Sequence, residues 1–89
     1  MSYREEAFTI GVEEEYQIIN PATRELRTRA QRILPQAQQS VGEEAQPELF
    51  LSQIEIATPV CRTLAEVRAE IVRLRRAVIG AATAAICAF

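Results

Sequence analysis

Residues 8–19, FTIGVEEEYQII, alternate apolar and polar side chains with a period of two, which commits the chain to a fold built on a one-sided β-sheet. Phe8, Ile10, Val12, Tyr16 and Ile18 share one face, and Thr9, Gly11, Glu13, Glu15 and Gln17 share the other. An apolar underside and a polar top suit an antiparallel sheet covered on one side only. The pattern contains an anomaly. Glu13, Glu14 and Glu15 are consecutive, although Glu is depleted in strands and crowded like charges repel. Glu14 also falls on the apolar side, where a place at the sheet margin or an Arg partner is expected.

A second strand is expected in ELFLSQIEIATPV, residues 48–60, ending at Pro59. Phe50, Ser52, Ile54 and Ile56 point one way, and Leu49, Leu51, Gln53, Glu55 and Ala57 the other. Glu55 thus repeats the motif of a carboxylate set against an apolar row. Between the two strands, NPAT at 20–23 is a turn, and a short return strand through Leu26 and Thr28 would make a hairpin. The segment 29–47 predicts a short helix interrupted near Pro35, then a loop from Gly42 to Pro47.

From Thr63 onward the period changes to that of a helix. Thr63 and Glu66 form a capping box, and Leu64, Val67, Ile71, Leu74 and Val78 define one apolar stripe. Gly80 is expected to loosen the last turns, and the Ala-rich end to Phe89 to add apolar surface without closing the core. The sum is an α+β chain with no internal repeat.

Composition narrows the chemistry. Among the 89 residues every base is Arg and every acid is Glu; Lys, Asp and His are absent. Without His the usual near-neutral acid/base and the commonest metal ligand are gone. The net charge of −2, with Arg dispersed among Glu, gives no basic field for nucleic acid. No apolar run reaches membrane-spanning length. Cys61 and Cys87 are far apart, outside any metal-ligand spacing, and read as reduced buried thiols of a cytoplasmic protein.

The remaining chemistry lies with carboxylates. Glu13 and Glu15, two apart in a strand, project from one face about 7 Å from each other. Gly11 beside them leaves room for a ligand. Hard cations such as Mg²⁺ need only one or two protein carboxylates when phosphates complete the shell, and paired metals stand about 4 Å apart. A Glu55 in the same sheet would extend the set. A solvated polar face and a charge cluster guarding a sheet edge are the alternatives at this spacing.

FTIGVEEEYQIINPATREL, followed by PELFLSQIEIATPVCRTLAEVRAEIVRLRRAVI, resembles the N-terminal part of the carboxylate–amine ligases, also called glutamate–cysteine ligase type 2. The resemblance runs from about Phe8 to about Val78. It implies a glutamine synthetase-like antiparallel sheet backed by helices, with residues 1–89 as the N-terminal portion of one catalytic domain. It further implies an ATP-dependent reaction, in which glutamate is activated as an acyl phosphate and an amine such as that of cysteine displaces phosphate. By the same resemblance, Glu13 and Glu15 are the positions of ligands to the Mg²⁺ that holds the ATP phosphates, Glu55 has a similar metal or substrate role, and Glu48 is a further acidic site position counted with the metal ligands. Unpaired strand edges and the helix stripe make a homo-oligomer the expectation. Beyond Gly80 the stretch GAATAAICAF departs from the Gly-containing turn and GTHP-bearing strand of relatives, implying the first quarter of an enzyme with an altered end. On that reading the 89 residues alone are inactive. The rival reading is a non-catalytic α+β module that self-associates through strand edges and the helix stripe.

Overall fold

The computed structural model describes residues 8–47 and 50–89. Its centre is a three-stranded antiparallel sheet of β1 (Glu13–Gln17), β2 (Ala45–Pro47) and β3 (Gln53–Ala57), in the order β1-β3-β2. Helices α1 (Ala30–Val41) and α2 (Leu64–Ala84) pack against each other and cover the apolar face. The α+β expectation is met, with an antiparallel sheet backed by helices.

The alternation does what the sequence implies. Ile54 and Ile56 are fully buried, while Gln53, Glu55 and Ala57 face the other way. In β1 the odd positions Glu13, Glu15 and Gln17 are exposed and Glu14 and Tyr16 half-buried. Both strands are shorter than the pattern suggests. Among the described residues upstream of β1, Ile10 bridges Cys61 and Val12 bonds Thr58, and Phe50 and Leu51 lie exposed in a turn before β3.

The turn at Asn20 forms as expected. Asn20 Oδ1 accepts from the Ala22 and Thr23 amides at 2.8 and 3.1 Å, and Arg24 takes a positive φ of 64°. The return strand reduces to a single Ile19–Leu26 bridge with Leu26 exposed, because no further residue pairs beside it.

Two expectations for the middle of the chain fail. Helix α1 is not interrupted at Pro35 but runs through it. Ala30, Ile33, Ala37 and Val41 bury one face of the helix, whereas Pro35 and Gln31, whose carbonyl would otherwise receive the missing amide, are both exposed. Nor is Gly42–Pro47 a loop. Gly42, at φ 58°, ends α1, Gly42–Glu44 forms a 3₁₀ turn, and Ala45–Pro47 becomes β2. Pairing to the second edge of β3 creates β2, with Gln38 Nε2 holding the Ala45 carbonyl at 2.9 Å.

Helix α2 starts at its capping box: Thr63 Oγ1 accepts from the Glu66 amide at 3.1 Å, and Glu66 returns a bond to the Arg62 amide at 2.6 Å. The apolar stripe is only half used. Leu74 and Val78 are fully buried and Val67 and Ile71 partly so, but Leu64 is 77% exposed. Gly80 does not loosen the helix, which continues to Ala84.

The Ala-rich end closes the core, contrary to expectation. Ala81 and Ala82 are small enough to let the helix approach its neighbours, and both are buried. The chain then reverses through a Schellman arrangement: the Cys87 amide donates to Ala82 O at 2.8 Å and the Ile86 amide to Thr83 O at 3.0 Å. Ile86 occupies the left-handed position at φ 58° that Gly usually takes. Beyond it Cys87 is buried, Ala88 exchanges backbone bonds with Ile19 at 2.8 and 3.0 Å, and Phe89 packs on Tyr16 with ring centroids 5.2 Å apart. Cys61 and Cys87 are both free thiols. Among the described residues no helix is long and apolar enough to cross a membrane.

Two consequences are measurable by chemical denaturation. Leu74→Ala should lose about 2–5 kcal/mol through its cavity, while Leu64→Ala should stay within about 0.5 kcal/mol. Equal losses would contradict the half-used stripe. Ile86→Gly should gain about 1 kcal/mol, because a β-branched residue at positive φ is strained and the 74% exposed side chain contributes little packing.

Candidate functional site

The open face of the sheet carries the carboxylates. Its register aligns Glu13 with Ala57, Glu15 with Glu55 and Gln17 with Gln53, and on the far side Gln46 with Glu55. Gln46, Glu55 and Glu15 therefore form a row across all three strands.

The hydrogen bonding sharpens this row. The Ile18 amide donates to Ser52 O at 2.7 Å and the Thr58 amide to Val12 O at 2.9 Å. Even-numbered positions of this strand are thus the hydrogen-bonded pairs, which makes Glu15–Glu55 a non-hydrogen-bonded pair. Directly opposite side chains come closest in such pairs, with Cβ atoms about 4.5–5.5 Å apart. Glu15 and Glu55 thus stand directly opposite each other at the close type of position. Gln53 Nε2 donates to Glu15 Oε1 at 3.1 Å, orienting that carboxylate along the face. Glu13 stands one pleat further on, opposite the small Ala57, and the space above Gly11 is open.

The structure therefore brings Glu15 and Glu55 together and sets Glu13 beside them. Glu48, which follows β2, lies outside the described residues. Among the described residues no three acidic, His or Cys side chains close into a metal cluster. The donor chemistry nonetheless fits a hard cation, since oxygen ligands from one or two carboxylates are what Mg²⁺ takes when phosphates and water complete its shell.

Glu14 turns to the opposite face, and there it has a built environment. Arg75 of α2 grips it with both arms of the guanidinium, Nε to Oε1 at 2.8 Å and Nη2 to Oε2 at 2.5 Å. The Tyr16 hydroxyl donates to the same Oε1. The Arg partner anticipated for Glu14 is therefore present, but its identity was not legible, because Arg75 lies sixty-one residues away. A second fork ties α2 down near β2, where Arg73 reaches Glu44 at 2.8 Å and Glu70 at 2.7 Å.

These contacts shift protonation in known directions. The hydrogen bonds from Arg75 hold the Glu14 carboxyl below its usual 4.5, against a smaller opposing effect of partial burial, with Tyr16 acting in the same sense as Arg75. Tyr16 is pushed up to about 12, first by burial and then by its hydrogen bond to Glu14. Glu14 in turn raises the Arg75 guanidinium.

The signs differ. For Glu14, depressed in the folded chain, the stabilisation is present above about pH 4.5 and lost as pH falls through the folded value. For Tyr16, raised in the folded chain, it is present below about pH 10 and lost as pH climbs towards 12. An ultraviolet phenolate titration should show one tyrosine ionising near pH 12 that disappears in Tyr16→Phe. A single midpoint near pH 10 for both tyrosines would contradict the Tyr16–Glu14 contact.

Comparison with known proteins places this chain in a family. Residues 9–89 match glutamate–cysteine ligase family 2. The match extends through GAATAAICAF to Phe89. Proteins named "Putative glutamate--cysteine ligase 2" are 53% identical over 76 residues in Chloroflexus aggregans and 54% identical over 71 residues in Herpetosiphon aurantiacus. These alignments cover 85% and 80% of this chain but 20% and 18% of the relatives. In Solibacter usitatus a protein of the same name is 36% identical over 80 residues, 89% of this chain and 21% of its own length. The chain spans about a fifth of the length of the curated relatives it matches. With the motif-bearing strands and the capped helix all inside the matched region, the chain belongs to glutamate–cysteine ligase family 2.

Proposed function

We propose that this chain contributes the metal-holding face of an ATP-dependent carboxylate–amine ligase that joins glutamate to the amine of cysteine. The observation that carries the reading is the Glu15–Glu55 pair, two carboxylates directly opposed in the close type of antiparallel pair on an exposed face. Two carboxylates at the closest cross-strand position offer oxygen ligands to a divalent cation binding between or beside them. Family membership supports the same reading, as do the matching relatives' names.

In this reading Glu15 and Glu55 hold Mg²⁺, with Glu13 one pleat away as the third carboxylate. Glu48 is proposed as a further ligand on the resemblance alone. The metal, when bound, neutralises charge on the ATP phosphates. The protein's own share is orientation. Gln53 fixes the Glu15 carboxylate, the small Ala57 leaves the approach to Glu13 clear, and pairing with β3 sets Glu15 opposite Glu55 with Glu13 one pleat along the same face. ATP transfers its γ-phosphoryl group to a glutamate carboxylate and releases ADP. The cysteine amine then attacks the acyl carbon, forming the amide as phosphate leaves. Such a reaction depends on positioning and charge neutralisation, so a chain without histidine suffices for this part of the site.

The test is substitution in a full-length relative carrying these residues. Glu15→Gln and Glu55→Gln should each reduce glutamate- and cysteine-dependent ADP release by more than the roughly 10–100-fold typical of losing a group that only supports a ligand. Folding should be unchanged, because both side chains lie on the open face. Turnover within about threefold of the parent for both variants would refute the assignment.

A further inference from the structure

Glu14 sits between two residues that face the opposite way, and its partner Arg75 is on another element. We propose that Arg75 is a positioning residue for the carboxylate face: by gripping Glu14 from α2 it fixes β1 so that Glu15 stands opposite Glu55 and Glu13 one pleat further along the same face. The inference rests on the metal-holding reading of that face, but concerns a residue pair on the other side of the sheet.

Three observations lead to it. First, β1 is an edge of the sheet formed by the described strands, hydrogen-bonded along its length to β3 alone. An edge strand is held laterally from one side, and a slip by one residue would carry Glu13 and Glu15 to the helix side and Glu14 to the open face. Second, the apolar underside that sets register, anchored by the buried Ile18 and by Tyr16, is interrupted by Glu14, between Val12 and Tyr16. Third, the contact is of the kind that transmits geometry. Both guanidinium arms engage both carboxylate oxygens at 2.8 and 2.5 Å, and Tyr16, two residues along the strand, closes on the same oxygen. Arg75 is one residue from the fully buried Leu74, so its backbone is anchored in the core. The line from core to Leu74, Arg75, Glu14 and the flanking glutamates is short, each step a bonded neighbour or a direct hydrogen bond.

Charge and geometry make opposite demands on this residue, which makes the inference sharp. Arg75 is a cation one strand thickness from a proposed cation site. By charge alone, removing it would make the site more negative and tighten divalent-ion binding. If Arg75 acts by positioning, removing it weakens binding in spite of the gain in negative charge.

The experiment is a Mn²⁺ titration of the full 89-residue chain, followed by electron paramagnetic resonance, on the unmodified protein and on Glu15→Gln, Arg75→Met and Arg75→Lys. Met keeps most of the Arg stem, and circular dichroism reports the helices of each variant. The expected result is uptake by the unmodified chain, loss in Glu15→Gln and an affinity about tenfold weaker or worse in Arg75→Met, the size typical of groups that orient a metal ligand. Arg75→Lys, which keeps the charge but not the fork, should fall between. Equal or tighter binding by folded Arg75→Met, with Glu15→Gln still defective, would overturn the positioning role and leave the metal reading standing. Should Arg75→Met lose its helical signal, Arg75→Lys decides: weakened binding supports the role and unmodified affinity overturns it. No uptake by the unmodified chain, or full uptake by Glu15→Gln, would overturn the metal reading and this inference with it.

Discussion

The burial of Ile54 and Ile56 under the two helices is the constraint on which the remaining geometry depends. Each fully buried isoleucine is worth about 1.5–3 kcal/mol relative to exposure, and the pair fixes which face of β3 looks inward. Because strand side chains alternate, that choice sends Glu55 to the open face. Because β3 is the central strand, it also sets the register of both neighbours. Glu15 and Gln46 reach the level of Glu55 through β3. The proposed site is thus a consequence of core packing on the other side of the sheet.

The three consecutive glutamates resolve into two different uses of charge. Glu13 and Glu15 remain on the exposed face that also carries Glu55, the face proposed to hold a divalent cation. Glu14 meets a guanidinium within the protein. Pairs of this exposure contribute little stability on their own, and their value lies in geometry. Arg73 plays the parallel part at the other end of the sheet, linking α2 to the turn that delivers β2. Two neighbouring arginines on one helix thereby hold the chain at both flanks of the central strand.

Closure of the core relies on small residues. The sequence from Ala81 to Phe89 has no large aliphatic face, and as a pattern it reads as loose surface. In the fold Ala81 and Ala82 permit close approach, the reversal at Ile86 redirects the chain, and Ala88 pairs with Ile19 next to the start of the turn. The reversal was hard to foresee because an isoleucine stands where glycine is the usual signal. The continuity of helix α1 through Pro35 and the strand β2 escaped for a related reason. Pro35 is a local warning against helix that tertiary burial overrides, and the Ala30 amide at the start of α1 is capped by the carbonyl of Leu51 at 2.9 Å rather than by a neighbouring side chain.

Sequence alone determined the properties that are periodic or local. The faces of β1 and β3, the capping box and the Leu74–Val78 portion of the α2 stripe follow from side-chain alternation and hydrogen bonds within a few residues. Glu13, Glu15 and Glu55 could be singled out because each breaks a strand preference at a definable position, and the motifs around them carried the family resemblance. Tertiary structure decided everything that joins distant residues: Glu15 opposite Glu55 in the close type of pair, Arg75 on Glu14, β2 on the second edge of β3, and the return of Ala88 to Ile19. It also left Leu64 exposed although its spacing matches that of buried Leu74. Periodicity specifies which way a side chain faces. Whether another element lies there to meet it depends on how the chain packs, and that is set by the core as a whole.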